Sequence, residues 1–228
     1  MSKENNNTEN KNLAIGEVIT KTERFIDNNK KLLSFIAIAI VAVIGGWFAY
    51  NNLVAEPREK NAAADLFPIQ NYFAMGDYDK VLKGDGKYMG AIAFIDTYGS
   101  GKSSSLAKYY AGAAYLHKGE YQNAIDYLSD VKFNDLLAAP IIKMLLGDAH
   151  AELKHWDEAI KYYEQATKYD NEMTAPLALL KLGNVYEMKK DNAKALEAFK
   201  RIKKDYPRST EYQEVEKYIS RLEALQAK

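Results

Sequence analysis

The chain has 228 residues, 47% of them hydrophobic and 27% charged, which is the composition of a folded protein rather than a disordered one. Lysine plus arginine equals aspartate plus glutamate at 31 each, and the residues after the first 31 carry 25 basic against 26 acidic side chains, so the basic excess of a nucleic-acid-binding domain is missing. Cysteine is absent, which excludes disulfides, thiolate metal sites and a thiol nucleophile.

The opening twelve residues, MSKENNNTENKN, are polar and of low complexity, a composition that predicts disorder. Residues 13–29 set Leu13, Val18, Ile19, Phe25 and Ile26 among charges, as a short helix lying at a membrane surface would, although a solvated lead-in reads equally well. From Leu32 to Tyr50 run nineteen residues without a charge. A helix rising about 1.5 Å per residue needs about 20 apolar residues to cross a hydrocarbon layer of roughly 30 Å. Trp47 and Tyr50 stand where an interfacial aromatic belt belongs, and Lys30 and Lys31 abut the other end with Lys21 and Arg24 nearby. Glu56, Arg58 and Glu59 begin the far flank. The positive-inside bias therefore predicts residues 1–31 in the cytoplasm and the remainder, from about residue 51, outside it. A buried core helix would be shorter and carry a polar stripe. A signal peptide processed after Val54-Ala55 is the other alternative, but the apolar run exceeds the usual 7–15 residues.

Beyond the apolar segment the chain repeats itself. Gly112, Gly147 and Gly183 fall in one column, 35 and 36 residues apart. Twelve residues after each glycine stands an alanine, Ala124, Ala159 and Ala195, and four further on stand Leu128, Tyr163 and Phe199. Three residues after each glycine come Tyr115, His150 and Tyr186, and Pro207 ends the second helix of the last copy. This pattern resembles the tetratricopeptide repeat, a helix–turn–helix unit of roughly 34 residues. Small residues at the glycine and alanine columns would let two facing helices approach, with the larger column filling the gap between neighbouring repeats. A degenerate copy precedes these three: Tyr72-Phe-Ala-Met-Gly-Asp-Tyr matches Tyr115-Leu-His-Lys-Gly-Glu-Tyr, Val81 replaces the alanine, and Gly84-Asp85-Gly86 breaks the second helix early. At the other end Tyr212, Val215, Ile219 and Leu222 follow helical spacing, and Thr210 with Gln213 reads as a capping box opening a helix that covers the last repeat.

The expected fold is all-α: a cytoplasmic lead-in over residues 1–31, a transmembrane helix over 32–53, a degenerate repeat and linker over 54–104, and three repeats plus a capping helix over 105–228. Repeat proteins of this kind expose a concave surface lined by the first helix of each pair. The resemblance puts Tyr109, Ala113 and Leu116 there from the first full repeat, Met144, Asp148 and Glu152 from the second, and Leu180, Asn184 and Met188 from the third. Such a mixed apolar and acidic lining suits a protein partner presenting a helix or an extended segment. The alternative is that these side chains are spent on contacts with the capping helix. Tyr109, Met144 and Leu180 stand where a carboxylate clamp would need lysine, so no such clamp is expected.

Other chemistry finds little support. Tyr98-Gly-Ser-Gly-Lys-Ser-Ser resembles a phosphate-binding loop, but Asp96 stands where its first glycine is needed and the surroundings read as helix. His150 sits in a packed column, and its five-residue spacing from His155 does not put both on one helical face. No catalytic residue, cofactor, metal site, nucleic acid or small-molecule substrate is expected, and an enzyme hidden in residues 60–104 would have Lys102 as its only lead.

The layout as a whole, with Asn29-Lys30-Lys31 before an apolar helix that ends Gly45-Gly-Trp-Phe-Ala-Tyr50 and repeats after it, resembles the membrane-anchored, repeat-containing ancillary subunit of the bacterial SecYEG translocon. That resemblance implies a single-pass inner-membrane protein with a periplasmic repeat domain, lipid contact through Leu32–Tyr50, and as partners translocon subunits, periplasmic chaperones or exported chains. A scaffold for envelope assembly or cell division with no translocon link is the alternative.

Overall fold

A computed structural model describes residues 2–226, with side chains from Phe25 onward. The chain divides into two compact units, residues 1–57 and 58–228. The first unit is helix α1 (Ser2–Tyr50) followed by a π-helical turn, Asn51–Ala55. The polar opening expected to be disordered is drawn into α1, and the surface role expected of Leu13, Val18 and Ile19 lies outside the described side chains. Phe35, Val41, Val43 and Trp47 are each at least 66% exposed, and the apolar stretch of this helix is nowhere buried by protein. A core helix of a globular domain would be covered by its own chain, so that alternative is excluded. The helix is long and apolar enough to cross a membrane.

In the second unit, four helical hairpins follow one another. Helix α2 (Glu56–Ala74) pairs with the short α3 (Tyr78–Lys83), α5 (Lys102–His117) with α6 (Tyr121–Ser129), α7 (Ala138–Glu152) with α8 (Trp156–Ala166), and α9 (Ala175–Met188) with α10 (Asn192–Asp205). One hydrogen-bond pattern turns the chain in all four. The N–H groups of Asp77, Glu120, His155 and Asp191 reach back five residues to the carbonyls of Tyr72, Tyr115, His150 and Tyr186, each at 2.9 Å. The residue before each donor sits in the left-handed region: Gly76, Gly119, Lys154 and Lys190, with φ from 60° to 75°. This is a helix C-terminal motif in which a residue at positive φ satisfies the last carbonyls. It fixes the register of the degenerate copy, because Tyr72 and Gly76 make the same bonds as Tyr115 and Gly119.

Lysine at positive φ brings Cβ against backbone, a cost of roughly 1–2 kcal/mol that glycine escapes, although glycine gives back about half in unfolded-chain entropy. Lys154→Gly and Lys190→Gly are each expected to raise stability by up to about 1 kcal/mol, and Gly119→Lys to lower it by as much. Thermal unfolding of the full chain in detergent reads both.

The glycine column clears space for more than the facing helix. A Cβ on Gly112 would come 2.5 Å from Leu128 Cγ, and one on Gly147 would come 2.5 Å from Tyr163 Cε1; one on Gly183 would meet Phe199 Cε1. The glycine therefore makes room for the large side chain of its own repeat, which folds across the hairpin, and at Gly112 also for the facing alanine, since the same Cβ would come 3.2 Å from the Ala124 carbonyl oxygen. Ala124, Ala159 and Ala195 are fully buried beside it. Phe199 also reaches the neighbouring layer, stacking on Tyr218 at 5.0 Å between centroids.

Repeat one departs from this plan. Ile69 occupies its glycine column and Val81 its alanine column, both fully buried. Its second helix stops at Lys83, where Gly84 at φ 80° opens a tight loop closed by a bridge to Met89. A Cβ at Gly84 would meet the backbone of Tyr88 and Gly90, so no other residue fits. The chain then forms α4 (Ala91–Tyr98), whose Phe94 fills the core vacated by the missing helix half.

Helix α11 (Glu211–Gln226) closes the stack by burying Val215, Ile219 and Leu222 against α9 and α10. The Thr210–Gln213 capping box does not form. The Thr210 hydroxyl donates to Glu211 Oε2 at 3.1 Å.

Candidate protein-binding groove

The first helices of the repeats, α2, α5, α7 and α9, lie in sequence through the stack, α5 touching α7 and α7 touching α9. Of the nine side chains assigned to their shared face, Ala113, Met144 and Leu180 are buried at 3%, 5% and 9% exposure and belong to the packing between helices. Tyr109, Leu116 and Asp148 are half-buried; Glu152, Asn184 and Met188 are exposed. Six of the nine thus remain accessible. Among the residues assigned to repeat packing, Gly112, Gly147, Gly183, Ala124, Ala159, Ala195 and Phe199 are buried, while Pro207 is exposed just past the end of α10.

The two ends of this face differ in chemistry. At the α2–α5 end the Phe73 ring lies 5.1 Å from Tyr110, 6.3 Å from Tyr109, 5.8 Å from Tyr78 and 6.2 Å from His117. Tyr78 and His117 stack with their centroids 4.6 Å apart. Burial pushes the hydroxyls of Tyr109 and Tyr110 above the usual tyrosine range, so both stay neutral hydrogen-bonding groups. Rigid, amphipathic aromatic rings give contact area at low entropic cost. The sequence reading named Tyr109 and Leu116 but missed the rest. Phe73 was legible, since the register of the degenerate copy puts it in the column of Leu116.

Toward the other end the lining is polar and partly spent. Asp148 Oδ1 accepts from Lys181 Nζ at 2.8 Å and from the Tyr163 hydroxyl at 2.7 Å. Burial, reinforced by Asp148, pushes the Tyr163 hydroxyl far up, which keeps it a donor. Glu187 takes Arg221 Nη2 on both oxygens, at 2.6 and 2.7 Å, tying α9 to the capping helix. Contacts with the cap therefore take Glu187, whereas Asn184 and Met188 stay open to a partner.

The phosphate-loop lead has a structural answer. Glu59 Oε1 accepts from Ser103 N at 2.7 Å, and a Cβ at Gly101 would strike the same carboxylate. A side chain of the protein already sits at the start of α5, where a phosphate would have to bind. Lys102 is exposed beside it.

The histidine pair also differs from expectation. The chain reverses at Lys154, bringing the rings of His150 and His155 to 5.9 Å between centroids although they share no helix face. Among the described residues no group of three or more His, Asp or Glu is placed to hold a metal. His150 is half-buried and stacks on Tyr162 at 5.3 Å, with its Nδ1 buried and without a hydrogen-bond partner. Burial holds its pKa below the usual histidine range, against a smaller opposing pull from Glu158. The folded state therefore keeps the ring neutral, while the unfolded chain protonates it near pH 6.5. Stability contributed by the neutral ring is complete above that value and declines as pH falls through it toward the lower folded-state pKa. His150→Tyr, which restores the residue of the other repeats, is expected to flatten the fall in melting temperature between about pH 7.5 and 5.

A stack of antiparallel helical hairpins with a capped end and an open lining of aromatic and polar side chains defines a helical-repeat binding protein. The tetratricopeptide-repeat family profile matches residues 81–135 and 144–210, together more than half of the chain. The chain belongs to the tetratricopeptide repeat family. A comparison with curated proteins found no match.

Proposed function

We propose that the protein is a membrane-anchored scaffold whose repeat domain, on the extracytoplasmic side, holds an exported chain or a chaperone beside the protein translocon of a bacterial inner membrane. The observation that carries the membrane part is the apolar helix with no protein cover, preceded by Lys30 and Lys31. Lysines retained on the cytoplasmic side would orient it with the repeats outside. The binding part rests on the accessible aromatic and amide side chains of the first helices, which suit an extended or helical segment of a protein partner. Tetratricopeptide repeats present that face to proteins in general, so the translocon as location is the finer step, motivated by the likeness of the anchor and its flanks.

The test is affinity isolation of the full-length protein in mild detergent with identification of what travels with it. Translocon subunits or export chaperones, with the chaperones lost from a Tyr109→Ser/Asn184→Asp variant, are the expected result. Envelope-assembly or division proteins instead would replace the translocon reading, and protection of the repeats from protease added outside intact spheroplasts would overturn the orientation.

A further inference from the structure

Each later first helix packs against what precedes its hairpin: α5 against α3 and α4, α7 against α6, and α9 against α8. The columns that make this contact lie five and one residues before the glycine column and two after it. On α7 they hold Ile142, Leu146 and Ala149, on α9 Ala178, Leu182 and Val185, all at most 6% exposed, and α5 fills them with three fully buried alanines. On α2 the same columns hold Ala64, Pro68 and Asn71, and no described helix covers them: Ala64 is exposed, and the other two are half-buried. Phe67 and Met75, on the same face of α2 and just past its end, are 60% and 78% exposed. Between Asn61 and Gly76 the only charged residue is Asp65, whose carboxylate is taken by the Tyr98 hydroxyl at 2.5 Å. The contact surface by which repeats stack is thus continued onto α2 and left open there.

Stacks of helical repeats stay soluble by giving their end units a polar outer face. Helix α11 supplies one at the C-terminal end, where Glu214, Glu216, Lys217 and Glu223 are exposed. Stacking a second copy head to tail would bury those charges, which is costly. The α2 face is instead complementary to itself. Pro68 lies inside the helix and has no N–H to give the Ala64 carbonyl one turn back, so that acceptor lacks its helical donor. Asn71, one turn on, carries an amide that can donate. In an antiparallel pair of α2 helices centred between residues 67 and 68, Phe67 of each copy lies over Pro68 of the other, and each Asn71 amide comes opposite the other copy's Ala64 carbonyl. Antiparallel helix dipoles also attract. A parallel pair would set Phe67 against Phe67 and Asn71 against Asn71, leaving both carbonyls unmet.

We infer that the repeat domain pairs with a second copy of itself through α2, in an antiparallel two-fold arrangement in which the same residues serve both partners. The groove columns of α2, Gln70 and Phe73, lie on a different side of the helix, so both copies keep their binding faces free. One helix face is smaller than the roughly 800 Å² per partner of a stable complex. The pair therefore forms and parts with concentration. Neither the anchor nor the groove is needed for this inference.

Absence of cysteine makes the test direct, because only introduced thiols can react. Ala64→Cys, Asn71→Cys and, as a control for random collision, the exposed Met188→Cys are made in the full-length protein. Tags of different size distinguish the chains, and pairs of variants are mixed in mild detergent and oxidised briefly. The expected result is a mixed disulfide between residues 64 and 71 that forms at least about tenfold faster than the control product, since pairing raises the local thiol concentration. Phe67→Glu, at an exposed position that folding does not need, should return the mixed product to the control rate with the melting temperature unchanged. Self-disulfides at 64 and at 71 without the mixed product would mean a parallel pair and overturn the inference. Rates equal to the control would leave α2 uncovered, and cross-linking that survives Phe67→Glu would place self-association elsewhere in the chain; either result overturns it as well.

Discussion

Phe199→Ala is expected to cost about 3–5 kcal/mol of stability, the range for deleting a fully buried aromatic ring. Phe199 is 0% exposed, lies against Gly183 in its own repeat and stacks on Tyr218 in the next layer. Gly183→Ala alone should cost about 1–3 kcal/mol, because the new methyl meets a packed ring edge. Combining the two separates the explanations for the glycine column. If the column exists to admit the ring, removing the ring vacates the space the methyl needs. Gly183→Ala in the Phe199→Ala background then becomes neutral or stabilising by up to about 1 kcal/mol, the usual gain of alanine over glycine in a helix. If the column exists for backbone approach to Ala195, the methyl costs the same in either background. Denaturant unfolding of the four proteins in detergent gives the coupling energy, and an additive result would reject the ring-accommodation account.

The repeat periodicity, the hairpin turns and the capping helix were legible because each is a local matter of side-chain volume at fixed spacing. The roles within the columns were less so. A glycine sixteen residues before a phenylalanine does not say whether it clears space for that ring or for a neighbouring backbone, since both need the same small residue. Helix α4 was missed for a related reason. Its AIAFIDTY follows a glycine-rich break, and only the unfilled core beside α3 makes it a helix with a buried Phe94. His150 and His155 escaped notice as neighbours because their proximity arises from a chain reversal at Lys154, not from a shared helix face.

The groove was legible as columns but not as accessibility, and this sets the second large prediction. Met144 and Met188 were both assigned to the groove, in different columns, yet Met144 is 5% exposed and Met188 is 65% exposed. Met144 lies in the core cluster with Leu180 and Leu179, one layer from the last repeat, whereas Met188 ends α9 beside the turn. Met144→Lys would bring an ammonium to a buried position whose nearest acid on α7, Asp148 one turn on, already accepts from Lys181 and Tyr163, a change that costs several kcal/mol even after the lysine partly escapes to solvent. Met188→Lys extends into water and should change stability by less than about 0.5 kcal/mol. Full-length variants compared by thermal unfolding should therefore differ by many degrees for Met144→Lys and hardly at all for Met188→Lys. Equal, small shifts would mean that Met144 faces solvent and that the groove is deeper than the packing of α7 on α9 allows. The same contrast decides which substitutions can probe binding. A partner lost from Met144→Lys reports a damaged domain, while a partner lost from Met188→Lys, with the fold intact, reports contact at the open end of the groove.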